Sequence, residues 1–148
     1  MDHNNILPVV LAGGKSKRFG EDKSQVKLGR KILIDYILSE LIDEFNEILI
    51  VANDPIKHLP SNKIKKIKDF KKDLGPLGGI FTAMKWAKDN NKSYKWIASF
   101  PSDTPFFKKN ILNNFFEKVN EKESELFFMT FNDKRHNVFG LWSTSLID

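Results

Sequence analysis

A glycine-rich loop with several basic side chains, near the start of the chain, is the stretch best suited to chemistry. An apolar run of β type at 6–11 is interrupted only by Pro8 and leads into Ala12-Gly13-Gly14. The residues that follow include four cations, Lys15, Lys17, Arg18 and Lys23. Glycines let backbone N–H groups approach an anion closely, and cations offset its charge. The pattern predicts a phosphate-binding loop; the alternative is a basic, glycine-rich turn after an ordinary strand.

The spacing in this loop excludes two well-known kinds of phosphate site. A Walker A loop requires Gly-Lys-Ser/Thr after a four-residue gap, whereas Gly20 is followed by Glu21. The dinucleotide fingerprint Gly-x-Gly-x-x-Gly is also missing. A phosphate site here must therefore be of another kind.

An aspartate after a later apolar run is the strongest candidate for binding a metal ion. Asp103 lies in the segment Phe100-Pro101-Ser102-Asp103-Thr104-Pro105, between two prolines that restrict the backbone. Mg²⁺ prefers one or two carboxylates, with phosphate oxygens and waters completing its shell. Taken in isolation, the same residue is more typical of a helix N-cap or a turn.

Apolar periodicity predicts strands and helices that alternate along the chain. Beyond the first strand, strands are predicted at 47–52, 64–67, 96–100, 126–131 and 138–142, and helices at 31–45, 79–89 and 109–121. A tight polar turn at Asn132-Asp133 joins the last two strands. This alternation predicts an α/β domain with a parallel, doubly wound sheet and helices on both faces.

Four positions are predicted to converge on one edge of that sheet. Ligands of doubly wound sheets bind beyond the carboxyl ends of the strands. The first loop, Asn53, Asp69 and Asp103 each follow such an end. Considered alone, Asn53 is typical of an Asx turn and Asp69 of a helix cap. A second glycine motif at 74–80 opens a helix whose free N–H groups face the same edge.

Composition narrows the class of protein. A chain of 148 residues suits one domain, and no apolar run is long enough to span a bilayer. The chain has no cysteine, which excludes disulfides and thiolate metal sites, and we expect a cytoplasmic protein. A net charge of +5 suits an anionic partner but does not separate a nucleotide enzyme from an RNA-binding protein. A run of lysines is interpreted as a solvated face or as an attractor of anions: Lys63, Lys65, Lys66, Lys68, Lys71 and Lys72.

The two glycine motifs resemble those of a known family. The first, Leu11-Ala12-Gly13-Gly14-x-Ser16-x-Arg18-Phe19-Gly20-x-x-Lys23, is similar to the L-A-G-G-x-S-x-R-M-G-x-x-K loop of nucleotidyltransferases that activate sugars, isoprenoid precursors and the molybdenum cofactor. Phe19 replaces the usual Met. The second, Gly75-Pro76-Leu77-x-Gly79-Ile80, resembles the molybdenum cofactor guanylyltransferases, the family of molybdopterin-guanine dinucleotide biosynthesis protein A, and is also found in neighbours that use other nucleotides. The resemblance implies a three-layer α/β/α, Rossmann-like, mostly parallel sheet of the nucleotide-diphospho-sugar transferase type.

The same resemblance implies roles for individual residues. Arg18 and Lys23 would be catalytic, because they offset charge on the departing phosphates, and Asp103 would hold Mg²⁺. Asp69 would contact guanine, with Asp73 as a rival because the spacing to the second motif departs slightly from the family pattern. His136 is a candidate for the acceptor pocket, although Asn137 replaces the proline of the family's His-Pro pair. The nucleotide-binding set would be Leu11, Ala12, Gly13, Gly14, Lys23, Asn53, Asp69 and Asp103.

The implied reaction transfers GMP from GTP to the phosphate of molybdopterin or the molybdenum cofactor, giving the guanine dinucleotide cofactor and pyrophosphate. Other molybdenum-cofactor biosynthesis proteins are candidate partners, and neither a membrane nor nucleic acid is expected to bind. One alternative is the same chemistry on another pair, such as CTP with a pterin cofactor or a sugar phosphate. The other is a non-catalytic module that binds nucleotide or RNA. We also expect residues 1–148 to form a single nucleotidyltransferase domain that lacks the family's C-terminal segment, which leaves its activity open.

Overall fold

A computed structural model of the protein describes residues 2–12, 27–29, 31–56, 58–71, 74–103, 109–120 and 123–148. Three α-helices are present in these ranges: α1 (Leu33–Ile42), α2 (Gly75–Asp89) and α3 (Lys109–Asn120). The strands are β1 (Ile6–Leu11), β2 (Lys27–Leu28), β3 (Lys31–Ile32), β4 (Ile48–Val51), β5 (Ile64–Ile67), β6 (Trp96–Pro101), β7 (Leu126–Phe131) and β8 (Lys134–Ser143).

The main sheet is mixed, with a parallel half and an antiparallel edge. Its strand order is β5-β4-β1-β6-β8-β7, and β2 pairs with β3 in a separate hairpin. The first four strands in this order run parallel, whereas β8 runs antiparallel to both β6 and β7. The mostly parallel, doubly wound α/β sheet predicted from the sequence is therefore confirmed.

Successive side chains of the central strands point to opposite faces of the sheet, and each face packs against helices. In β1, Ile6 and Val10 pack into a core with α1 and α3, whereas Leu7 and Val9 pack into a second core with α2. These four side chains are 0–1% exposed. Because both faces are covered, the strand is an almost continuous apolar run. Burial of each large aliphatic side chain contributes about 1.5–3 kcal/mol to folding.

Several predicted boundaries differ from those observed. The helix predicted at 31–45 begins only at Leu33, because Lys31–Ile32 pair with Lys27–Leu28. The helix predicted at 79–89 begins four residues earlier, at Gly75, since Pro76 suits a first helical turn, where its missing N–H costs no hydrogen bond. The strand predicted at 138–142 is part of the longer β8, which forms a hairpin with β7.

Glu47 lies at the amino ends of the parallel strands within a group of its own chain's donors. Its carboxylate accepts hydrogen bonds from Lys65 Nζ at 2.8 Å, Tyr94 Oη at 2.7 Å and Lys92 Nζ at 3.2 Å. Burial raises the pKa of Glu47, but the three hydrogen bonds outweigh burial and the net pKa lies below its usual value. Burial and the Glu47 carboxylate together raise the pKa of Tyr94. This group links β4, β5 and the segment after α2.

Across the described ranges, every helix is too short or too polar to cross a membrane.

Candidate functional site

The carboxyl ends of the four parallel strands lie side by side in one row. Leu11 of β1 is paired with Val51 of β4 and Pro101 of β6, and Val51 is paired with Ile67 of β5. The residues one step beyond continue the row, since Ala12 N–H donates to the Val51 carbonyl at 2.9 Å. Neighbouring strands are about 4.8 Å apart. The predicted convergence of segments on one edge is thus present for the described residues.

Asn53, Asp69 and Asp103 each stand two positions beyond a member of this row. Asn53 follows Val51, Asp69 follows Ile67, and Asp103 follows Pro101. Leu11, which ends β1, is half-buried, and Ala12 after it is buried. This strand lies between β4, which leads to Asn53, and β6, which leads to Asp103. The order along the edge is therefore Asp69, Asn53, the start of the first glycine loop, and Asp103.

A buried threonine connects Asp69 to helix α2. Thr82 Oγ1 donates to Asp69 Oδ1 at 2.8 Å and accepts from the Phe70 N–H at 2.9 Å. Asn53 Oδ1 accepts from the Asp69 N–H at 3.3 Å. Asp69 is thus fixed from two sides, by the loop after β4 and by α2. Thr82 is 6% exposed, so its hydroxyl needs partners within the protein.

Sequence reasoning missed Thr82, although one signal pointed to it. It is a polar residue among the inward-facing positions Ile80, Ala83 and Met84 of α2. A buried hydroxyl in an apolar helix face needs a partner, and the loop after β5 is the neighbouring source of polar groups.

Helix α2 approaches β1 closely at Gly79. A Cβ added at Gly79 would lie 2.8 Å from Leu11 Cδ2, so any larger residue would force the Leu11 side chain to move. The second glycine motif therefore brings α2 against the end of β1. Gly75, with φ of 64°, occupies the left-handed region that glycine tolerates and opens the helix.

Asp103 lines a cavity of about 300 Å³ whose other wall comes from β8. Because β8 runs antiparallel to β6, the first half of β8 lies beside the carboxyl end of β6. The cavity is lined by Pro101, Asp103, Arg135, His136, Asn137, Val138 and Phe139. His136, predicted as an acceptor-pocket candidate, is therefore brought to the same cavity as Asp103.

The Asp103 carboxylate fits a hard cation for which the protein supplies one carboxylate, and phosphate oxygens of a bound ligand and waters supply the other contacts. The side chain is exposed and forms no ion pair with any residue that the structure describes. Within those same ranges, no three His, Cys, Asp or Glu side chains group together closely enough to hold a metal ion. One carboxylate supplemented by phosphate oxygens and waters is a normal environment for Mg²⁺.

Five predicted residues lie outside the described ranges: Gly13, Gly14, Arg18, Lys23 and Asp73. Their phosphate-binding, catalytic and base-binding roles stay predictions.

Comparison with known proteins shows that the chain is similar to nucleotidyltransferases. Residues 8–148 match the family described as the MobA-like NTP transferase domain. The chain is 30% identical over 152 residues to a probable molybdenum cofactor guanylyltransferase of Halalkalibacterium halodurans, covering 99% of this chain and 74% of that protein. It is 32% identical over 143 residues to the molybdenum cofactor guanylyltransferase of Haemophilus influenzae, covering 95% and 72%. The crystal structure of molybdopterin-guanine dinucleotide biosynthesis protein A from Archaeoglobus fulgidus superposes with a TM-score of 0.71 at 19% identity, covering 95% and 69%.

Proposed function

The chain belongs to the family of MobA-like NTP transferase domains and is a nucleotidyltransferase; from that premise we propose that it transfers GMP from GTP to the phosphate of molybdopterin or its molybdenum form. An oxygen of the acceptor phosphate attacks the α-phosphorus of GTP in line. The bond between the α-phosphorus and the bridging oxygen breaks, and pyrophosphate leaves with that oxygen. The products are the guanine dinucleotide cofactor and pyrophosphate.

The observation that carries this proposal is the order of groups along the sheet edge. Asp69 and Asn53 stand over β5 and β4, the first loop leaves from β1, and Asp103 stands over β6. A nucleoside triphosphate lying along this edge would place its base at Asp69 and its phosphates between the loop and Asp103. The curated relatives named as molybdenum cofactor guanylyltransferases support GTP and a pterin acceptor as the pair.

Guanine recognition is assigned to Asp69, with Asn53 beside it. Guanine presents adjacent N–H donors on its pairing edge, and an ionised carboxylate is an acceptor only. Oδ1 of Asp69 accepts a hydrogen bond from Thr82, whereas Oδ2 accepts none from the described part of the chain. The Asp69 carboxylate therefore keeps acceptor capacity for the base.

Phosphate positioning is assigned to the first loop and to Asp103. Backbone N–H groups of Gly13 and Gly14 would bind the phosphates, and Arg18 and Lys23 would offset the charge that develops on pyrophosphate. Asp103 would hold Mg²⁺, which supplies charge neutralisation at the α-phosphate when bound. A phosphate nucleophile needs no general base near neutral pH, because its second pKa is about 6. The chain's task is therefore positioning, with no proton to move.

The test is calorimetric titration with GTP, CTP, ATP and UTP, each with and without Mg²⁺, followed by pyrophosphate release in the presence of molybdopterin. We expect magnesium-dependent binding of GTP in preference to the other three, and release that requires the acceptor. Preference for CTP would overturn the assignment of Asp69 to guanine. Salt-sensitive RNA binding with no preference for triphosphates would overturn the enzyme proposal as a whole.

A further inference from the structure

We propose that the cavity between Asp103 and β8 is the subsite for the phosphate monoester of the acceptor, and that Arg135 is the side chain that binds this phosphate. The proposal rests on the function proposed above and assigns its second substrate to a place in the fold. The cavity volume of about 300 Å³ accommodates a phosphate group and the first atoms attached to it.

The cavity wall is formed by an irregularity in strand pairing. Phe128 of β7 pairs with Gly140 of β8, and the next residue, Met129, pairs with His136. Residues 137–139 of β8 therefore fall between the two paired stretches of the β7–β8 ladder, and the strand bulges there. Bulges re-aim side chains and occur frequently beside active sites.

Buried hydrogen bonds hold this bulge in place. Ser99 of β6 is fully buried, and its Oγ donates to the Val138 carbonyl at 2.7 Å. Trp142 Nε1 in turn donates to Ser99 Oγ at 2.8 Å. The carbonyl that the bulge removes from the ladder is thereby satisfied, so the bulge is a defined part of the fold.

Arg135 is held in position beside the bulge before any ligand arrives. Its Nε donates to Asn137 Oδ1 at 2.7 Å, and its guanidinium carbon lies 4.9 Å from the centre of the Phe128 ring. Each contact restricts the side chain, so less conformational entropy is lost when a ligand binds. The terminal guanidinium nitrogens are the donors that match two oxygens of a phosphate.

The charges of the cavity favour an anion at Arg135. No carboxylate in the described ranges forms an ion pair with Arg135. The carboxylate on the other wall, Asp103, is the proposed metal-binding residue. An acceptor phosphate at Arg135 would therefore lie in the same cavity as the group that positions the α-phosphate of GTP, which in-line attack requires.

The first experiment measures the KM of acceptor and of GTP for four proteins: wild type, Arg135→Gln, Arg135→Lys and the control Lys134→Gln. Lys134 is an exposed neighbour on β8 that does not line the cavity, so its variant removes one positive charge nearby. We expect Arg135→Gln to raise the acceptor KM at least tenfold, with the GTP KM within about twofold of wild type. Arg135→Lys should be intermediate, because lysine keeps the charge without the paired donors. An unchanged acceptor KM, or an equal rise in both KM values, would overturn the proposal.

The second experiment separates failure of the subsite from failure of the proposed transfer reaction. Inorganic phosphate is titrated into wild-type and Arg135→Gln protein, and the backbone amide signals of His136 and Asn137 are followed by NMR. This readout needs no turnover and no pterin. Saturable shifts in wild type that are lost in Arg135→Gln would support the subsite even if transfer to molybdopterin is not observed. Absence of saturation, or equal shifts in both proteins, would overturn it.

Discussion

At the amino ends of the parallel strands Glu47 is surrounded by cations of its own chain, whereas at the carboxyl ends Asp69 and Asp103 form no ion pair within the described residues. Glu47 binds Lys65 and Lys92, whose ammonium groups lie 5.5 Å and 5.6 Å, respectively, from the Trp86 ring centre. The carboxylate at one end is thus paired inside the protein, and those at the other end have no charged partner among the described residues, as the proposed ligand site requires. The comparison separates residues that stabilise the fold from residues that are available for function.

The lysine run shows the same division. Its first members have partners within the protein, although the Lys65 side chain is still 51% exposed. Lys63 Nζ donates to the Ile42 carbonyl at the end of α1, at 2.8 Å, and Lys65 binds Glu47. Lys68 and Lys71, by contrast, follow β5 at the carboxyl end and are exposed. Only this second part of the run lies where a nucleotide is proposed to bind.

Asp103→Asn, at the carboxyl ends of the strands, should produce the largest effect, and it should lower turnover without lowering stability. The substitution removes the charge that would hold Mg²⁺, so we expect turnover to fall by roughly 10²–10³-fold. Stability should stay within about 0.5 kcal/mol of wild type, because the side chain is exposed and unpaired in the described structure. Steady-state kinetics and urea denaturation measure the two quantities. Asp43→Asn, an exposed carboxylate at the end of α1, is the control; loss of stability without loss of turnover would reverse the comparison.

Glu47→Gln should produce the opposite pattern at the amino end. The variant keeps the shape of the side chain but leaves two lysines without a charged partner, so we expect a loss of about 1–2 kcal/mol in the free energy of unfolding. GTP affinity should be unchanged. Urea denaturation with calorimetry tests this, and Glu117→Gln, exposed on α3, controls for removal of one negative charge. A matching fall in GTP affinity would show that the two ends are coupled.

Thr82→Val should sharpen the assignment of base recognition to Asp69. Valine keeps the shape of threonine but cannot donate to Asp69 Oδ1 or accept from the Phe70 N–H. We expect the preference for GTP over ATP to fall about tenfold, the effect of losing one hydrogen bond to a charged group. Thr82→Ser should restore the preference. If the serine variant also fails to discriminate, Thr82 acts through packing and not through Asp69.

The pH dependence of stability should give the smallest effect. Because the pKa of Glu47 is lowered in the folded state, its contribution is present above the ordinary carboxyl pKa of 4.5 and is lost as pH falls through the lowered value. The raised pKa of Tyr94 acts at the other extreme: its contribution is present below 10.0 and is lost as pH rises above that value. The difference in unfolding free energy between wild type and Glu47→Gln should therefore shrink as pH falls below 4.5 and through the lowered pKa of Glu47. A difference that grows as pH falls below 4.5 would contradict the assignment.

The parallel half of the fold and the β7–β8 hairpin could be predicted from the sequence, whereas the register of that hairpin and its place beside β6 could not. Continuous apolar runs mark β1, β4 and β6, and the residues after them fall at one edge because parallel strands end together. The register shift between Phe128 and Met129 carries no local sequence signal. The inward position of Thr82 on α2 signals a buried hydroxyl, but its partner Asp69, 13 residues away, is set by the packing of α2. Such contacts depend on how helices and strands pack together in three dimensions, and the local sequence pattern of a single helix or strand does not determine that packing.

Because β8 runs antiparallel to β6, the residues proposed to bind the two substrates lie in separate parts of the chain. On the proposed assignments, the base is read by residues before position 83, whereas the arginine that faces the acceptor lies in the hairpin at 126–143. That hairpin is one continuous peptide at the border of the sheet, and among the described strands it pairs with β6 alone. On this proposal, replacing that segment with the one from a relative should change the choice of acceptor and leave the choice of nucleotide unchanged.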